Sequence, residues 1–269
     1  MSILTDSQSQ NSKNYLVARY SSIFSGSIVN PLIKIWDLNS FTTLKTFNSS
    51  KQAGNIIINT MLVIDESYFV YCVDNYTIIV WNLVTNELKF KFDQSNNGHT
   101  DLIQCLVEIN ASLIASGAKD GIIKLWDLNK GVLKTEFYSS RGNGVASLVL
   151  LKNGYLASGF EFENVVKIWD VNNIQLKYTL SYYQYVVLDI VDNIASINNE
   201  LIASVNGYSI LVWNLTSANL VFKFNSTFGG HSNWVKSLVV LDNGYLVSGS
   251  DDNSIKVIFC VHGKRAYIN

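Results

Sequence analysis

Proline is almost missing from this chain: Pro31 is the only one among 269 residues, and it reads as a turn residue. No block of like charge occurs. Net charge is −1 with a pI near 6.3, so the chain offers no electrostatic footprint for a polyanion, and nucleic acid is excluded as an expected partner. The three cysteines, Cys72, Cys105 and Cys260, are odd in number and lack ligand spacing. They read as buried, reduced thiols of an intracellular protein, cytoplasmic or nuclear, rather than a disulfide framework or a metal centre. The first residues, MSILTDSQSQNSKN, have neither a basic n-region nor an apolar h-region, so no signal peptide is expected. Apolar runs such as Val145 to Leu151 are too short to cross a bilayer, so no membrane insertion is expected. No phosphate loop, HExxH, CxxC or carboxylate pair with a plausible proton donor is found. The reading is therefore non-enzymatic, with no cofactor and no metal.

What is present is a repeat. Trp36, Trp81, Trp126, Trp169 and Trp213 stand 45, 45, 43 and 44 residues apart, each inside a short apolar run ending in Asp or Asn. One further step reaches Ile258, in SIKVIF, where the pattern continues without its indole. A fixed period in this range means one supersecondary unit per repeat, stacked on its neighbours. In the third copy, Leu102–Ile109, Leu113–Gly117, Ile122–Leu128 and Val132–Phe137 read as four strands joined by tight turns, an antiparallel meander. No helix is expected anywhere. The inner strands are apolar almost continuously, which implies burial on both faces. Sheets buried on both faces pack radially against one another, the propeller solution. The outermost strands interleave lysine with apolar residues, as in Leu88-Lys89-Phe90-Lys91-Phe92, which blocks edge-to-edge pairing.

Gly98-His99, Ser116-Gly117, Asp120 and Trp126-Asp127 in the third copy resemble a complete WD40 repeat. Gly230-His231, Trp234, Ser248-Gly249 and Asp252 resemble the same pattern in the sixth. The resemblance implies an all-β WD40-type propeller of four-stranded blades. Six copies are counted, over about 11–47, 56–92, 99–137, 142–180, 187–224 and 231–269, and a closed six-bladed ring is favoured over an open ring or a truncated seven-bladed one. Residues 1–6 are favoured over Arg265–Ile268 as the strand completing the last blade. The other copies lack Gly-His, and Cys72 stands where Ser116 stands in the third copy.

His99, Ser116 and Asp120 have the composition of a catalytic triad, but a triad is recognised by geometry. The resemblance implies that His99, Ser116, Asp120 and Trp126, and likewise His231, Ser248 and Asp252, form a structural hydrogen-bond chain. It also implies a protein or peptide partner docking on the rim formed by the interblade loops and the second-to-third-strand turns. Candidates there are Trp234, the aromatic segment with Tyr182, Tyr183 and Tyr185, and Arg141. Acidic residues of that rim, Asp101, Glu161, Asp251 and Asp252, read as solvated or capping turn residues. An open edge completed by a partner's strand or blade is the alternative mode of assembly.

Overall fold

The computed structural model describes residues 2–4, 15–24, 27–37, 42–48, 58–64, 68–73, 76–138, 142–181, 191, 193–261 and 264–268. Its strands pair in chain order into four-stranded antiparallel sheets. The first holds Ser2–Leu4, Tyr15–Phe24, Ser27–Asp37 and Thr43–Asn48; the second holds Ile58–Ile64, Tyr68–Val73, Thr77–Asn82 and Glu87–Phe92. The third holds Ile103–Asn110, Leu113–Ala118, Ile122–Asp127 and Val132–Tyr138; the fourth holds Val145–Leu150, Leu156–Phe160, Val165–Asp170 and Gln175–Ser181. The fifth holds Ile194–Ser196, Leu201–Asn206, Ser209–Asn214 and Asn219–Phe224; the sixth holds Val235–Val240, Tyr245–Ser250, Ile255–Val261 and Lys264–Ile268. Among the described residues the only helical pieces are two three-residue 3-10 turns, Gln94–Asn96 and Ser226–Phe228.

The chain divides into two compact units, 1–114 with 126–133, and 115–125 with 134–269. In the first unit the Trp126 indole stacks on Phe92, with ring centroids 4.4 Å apart. Phe92 ends the fourth strand of the preceding sheet. In the second unit Trp169 meets Phe137 in the same way at 4.8 Å, Trp213 shares a buried cluster with Leu180, and Ile258 shares one with Phe224. Trp126, Trp169, Trp213 and Ile258 thus each pack with the last strand of the sheet before their own. Burying such side chains contributes on the order of 2–3 kcal/mol each.

The pairing repeats a second feature. Between third and fourth strands the register shifts just before the indole: at Ile35/Trp36, Val80/Trp81, Ile168/Trp169 and Val212/Trp213. The extra residue lies on the outer strand, at Leu44, Lys89, Lys177 and Val221. Such a bulge on an edge strand strengthens its twist and blunts it as a template. The lysines among them fold back onto rings of their own sheets. Lys89 Nζ lies 3.9 Å from the Tyr68 ring centroid and Lys177 Nζ 5.7 Å from that of Tyr155. The sixth sheet, without the indole, pairs Val257↔Ile268 through Val261↔Lys264 with no shift.

Three expectations are corrected by this pairing. Ser2–Leu4 does not complete the last sheet; it pairs with Tyr15–Phe24 as the inner strand of the first, and Lys264–Ile268 is the last sheet's fourth strand. A hairpin next in sequence closes a far shorter loop than a strand from the opposite terminus. Pro31 is not in a turn. It lies within strand Ser27–Asp37 at a bulge, where two residues, Asn30 and Pro31, oppose one between the pairs Ser22↔Val29 and Tyr20↔Leu32. A bulge leaves a ladder position without a bond to donate, which suits proline. Finally, Cys72 is not the counterpart of the repeat serine. Ser158, Ser204 and Ser248 pair with the residue two before the repeat position. In the second sheet that partner is Tyr71, opposite Ile79, while Cys72 pairs with Ile78 and faces the other way. Tyr71 is buried, stacks on Phe69 at 5.5 Å, and its phenol is pushed up to about 12 by desolvation.

In the fourth and fifth sheets the indoles are anchored by hydrogen bonds: Trp169 Nε1 donates to Ser158 Oγ at 2.8 Å and Trp213 Nε1 to Ser204 Oγ at 2.9 Å. Ser158→Ala strands a buried indole N–H and is expected to cost about 1–3 kcal/mol. In a urea-unfolding double-mutant cycle with Trp169→Phe, the second change should cost markedly less when Ser158 is already absent. Cys72→Ser, by contrast, is expected to destabilise, because its hydroxyl would point away from the Trp81 face.

Candidate functional site

The sixth sheet carries a buried polar brace. Asn225 caps the 3-10 turn Ser226–Phe228, its side chain accepting from Phe228 N. The chain then passes through Gly229 in the left-handed region (φ 70°) to Gly230-His231. A Cβ on Gly230 would come within 2.4 Å of Asn225 N, so glycine is required there. The third copy repeats the design: Asp93 caps Gln94–Asn96, Asn97 is left-handed (φ 63°), and a Cβ on Gly98 would fall 2.4 Å from Asp93 backbone atoms.

His231, fully buried, places Nδ1 2.9 Å from Asp252 Oδ2 and Nε2 2.8 Å from Ser248 Oγ. A carboxylate only accepts, so Nδ1 carries the proton and Nε2 accepts from the serine hydroxyl. Asp252 also accepts from Ser232 N at 3.0 Å, Ser254 N at 3.0 Å and Ser254 Oγ at 2.6 Å. The Ser254 hydroxyl leads the bonds that hold the Asp252 carboxyl well below the usual carboxylate range, with the Ser232 amide and His231 assisting. Every polar atom of this trio is spent within the fold, which leaves no nucleophile aimed at solvent.

The remaining predicted residues are placed as follows. In the first unit His99 and Trp126 are fully buried, their rings edge to face with centroids 6.5 Å apart. In the second unit Ser116 is fully buried and Asp120 Oδ1 accepts from Ile122 N at 3.0 Å. Arg141, Tyr182, Tyr183 and Tyr185 lie outside the described residues. Trp234 is half-buried, just ahead of strand Val235–Val240. Its carbonyl accepts from Asp251 N at 2.9 Å, and Val235 N donates to Gly207 O at 3.0 Å. The indole meets Tyr208 edge to face, with centroids 5.4 Å apart and planes at 86°. Lys236 Nζ lies 5.7 Å from the indole centroid and 3.3 Å from Asp251 Oδ2.

Tyr208, exposed at the tip of the turn between Leu201–Asn206 and Ser209–Asn214, escaped sequence reading. Its signal was an aromatic next to Gly207, which takes the turn's positive φ (58°). Phe162 holds a similar exposed place in the fourth sheet. The position matching Trp234 there is Gly144: its carbonyl accepts from Glu161 N, and the Glu161 carboxylate would come within 2.8 Å of any Cβ. Among the described residues no group of three His, Cys, Asp or Glu is placed to hold a metal ion, and no helix is long and apolar enough to cross a membrane.

The model of the WD domain, G-beta repeat matches residues 90–127 and 222–258, the two copies that carry Gly-His. These two segments are WD40 repeats. The chain is 24% identical over 231 residues to the autophagy-related protein 16 of Arabidopsis thaliana, covering 84% of this chain and 43% of that protein. The chain therefore spans less than half of that relative. The WD40 repeats of RRP9 superpose with a TM-score of 0.76 at 16% identity, over 99% of this chain and 78% of that one. A chain of a mitotic checkpoint complex gives 0.73 at 17% identity, over 92% and 71%. The fold is an all-β WD40 propeller fold of four-stranded antiparallel sheets, and WD40 repeats of this kind are generally non-enzymatic scaffolds for protein interaction.

The brace makes stability pH-dependent. The Asp252 carboxyl is held below its unfolded value, so its contribution is fully present above the ordinary carboxylate range (about pH 4) and is lost as pH falls below it. Asp252→Asn should lower stability at pH 7 and flatten the acid limb of a plot of urea midpoint against pH. An unchanged acid limb would show that the carboxylate does not hold the sixth sheet together.

Proposed function

We propose that this protein is a non-enzymatic scaffold whose rim of interblade loops and second-to-third-strand turns docks a peptide or protein domain. Trp234 and Tyr208 are the central anchors, and Tyr182, Tyr183, Tyr185 and Arg141 are further candidate anchors. One observation carries the reading. The indole is held half-exposed against an exposed tyrosine by backbone bonds from two neighbouring turns. Tyr and Trp anchors of this kind dominate interface energetics. The polar sets containing His231 and His99 serve as internal supports in this reading, not as catalysts.

The test is affinity capture from the native cell with full-length wild type, Trp234→Ala, and a Tyr182/Tyr183/Tyr185→Ser variant, each checked by circular dichroism melting. Folded variants that lose a shared partner, with affinity down about thirtyfold for an anchor worth roughly 2 kcal/mol, support the site. Variants that unfold would make these residues core.

A second reading concerns ring closure and blade number. Val149, Ala157 and Ile168 in the fourth sheet, and Ala195, Ala203 and Val212 in the fifth, form cross-strand rows on the face toward the following sheet, and all are buried. The matching row of the sixth sheet, Val239, Val247 and Val257, is half-exposed, with Ile255 beside it 76% exposed. A half-exposed apolar row of this kind is a face that a further sheet would cover, whether that sheet comes from this chain, closing a ring, or from a partner. Native mass spectrometry with hydrogen exchange over 235–261 separates the two. A lone chain with fully protected strands there would establish closure.

A further inference from the structure

We propose that the Tyr208–Trp234–Asp251 patch binds a partner's arginine side chain in the place its own Lys236 now holds. This rests on the rim reading above and specifies its ligand. Lys236 lies near the indole and pairs with Asp251, so the patch already satisfies a cation with a ring and a carboxylate together. That internal occupant is weakly held: the two side chains are 56% and 46% exposed, and exposed pairs of this kind contribute little. The backbone that carries the receiving groups, by contrast, is fixed. Asp251 N is bonded to Trp234 O, Val235 N to Gly207 O, and Asn233 Nδ2 to Asp251 O at 3.3 Å. Asp252, next in the chain, is anchored by the buried histidine. Tyr208, at a right angle to Trp234, adds a second aromatic wall.

Arginine fits this set better than lysine does. A planar guanidinium stacks on an indole while donating two parallel bonds to a carboxylate, whereas an ammonium is a compact, strongly hydrated point charge. The partner is therefore a peptide segment presenting an exposed arginine, with Lys236 as an internal competitor.

The experiment titrates the full chain with the peptide Ac-Gly-Gly-Arg-Gly-Gly-NH2 and with its lysine and citrulline counterparts, following the Trp234 indole N–H resonance, assigned by its loss in Trp234→Phe. The arginine peptide is expected to bind with a dissociation constant on the order of millimolar, ahead of lysine, with citrulline silent. Lys236→Ala should tighten binding about two- to fivefold by removing the competitor, and Asp251→Asn should weaken it about tenfold. Equal binding of citrulline, equal binding of lysine, or weaker binding by Lys236→Ala overturns the proposal. If the arginine peptide fails while Trp234→Ala still loses its partner, only this inference falls. If Trp234→Ala keeps every partner, the rim reading falls with it.

Discussion

The contact on which the rest of this structure depends is the seat of a third-strand residue on the last strand of the preceding sheet, made by Trp126, Trp169, Trp213 and Ile258. Phe92 under Trp126 and Phe137 under Trp169 are its aromatic forms, and Leu180 with Trp213 and Phe224 with Ile258 its mixed forms. A small four-stranded sheet has too little interior to fold alone, so its flanks must be covered by its neighbours. Spacing between these residues then follows from the length of chain needed to lay down four strands and three turns, and the period of the sequence is the imprint of that contact.

Polar groups are shared out unevenly along the repeats. The fourth and fifth sheets keep the indole-to-serine bond without a histidine. The sixth keeps carboxylate, imidazole and hydroxyl without an indole. Each fragment satisfies its own buried donors, so neither leaves the orphaned group that would make a partial network costly. The sixth-sheet version also stiffens the turn that carries Asp251. A buried structural device thereby sets the geometry of an exposed patch, which is how a repeat selected for packing can still acquire a specific surface.

Much of the fold was legible because packing period and strand period are both written in apolar residues. The tryptophan spacing located every third strand, and the lysines of Leu88–Phe92 and Leu176–Tyr178 marked outer strands. Reading failed where matching the ends of second strands replaced pairing. Cys72 and Tyr71 differ by one residue, and one residue exchanges the two faces of a strand. Pro31 looked like a turn because a bulge is invisible without the opposite strand. The Ser2–Leu4 segment carries too few residues to say which neighbour it joins. At the candidate site, Trp234 was found by its place in the Gly-His pattern. Tyr208 was not, since a tyrosine in a turn has no signature until the next sheet brings an indole against it. The capped 3-10 turns before each Gly-His were likewise hidden, although Asp93 and Asn225 occupy the same offset from their histidines.

The shift in register beside Trp36, Trp81, Trp169 and Trp213 works like a detent in a sliding mechanism. With one surplus residue locked opposite a bulky ring, the outer strand cannot creep along its neighbour without dragging that residue through the ladder. The last sheet has neither ring nor surplus residue, and its outer hairpin runs as an unnotched rail from Val257 to Val261. Sliding there meets only the ordinary resistance of side-chain alternation. Among the outer pairings described, the C-terminal hairpin is accordingly the one with the least to stop it re-indexing, and where an incoming strand would have the least to displace.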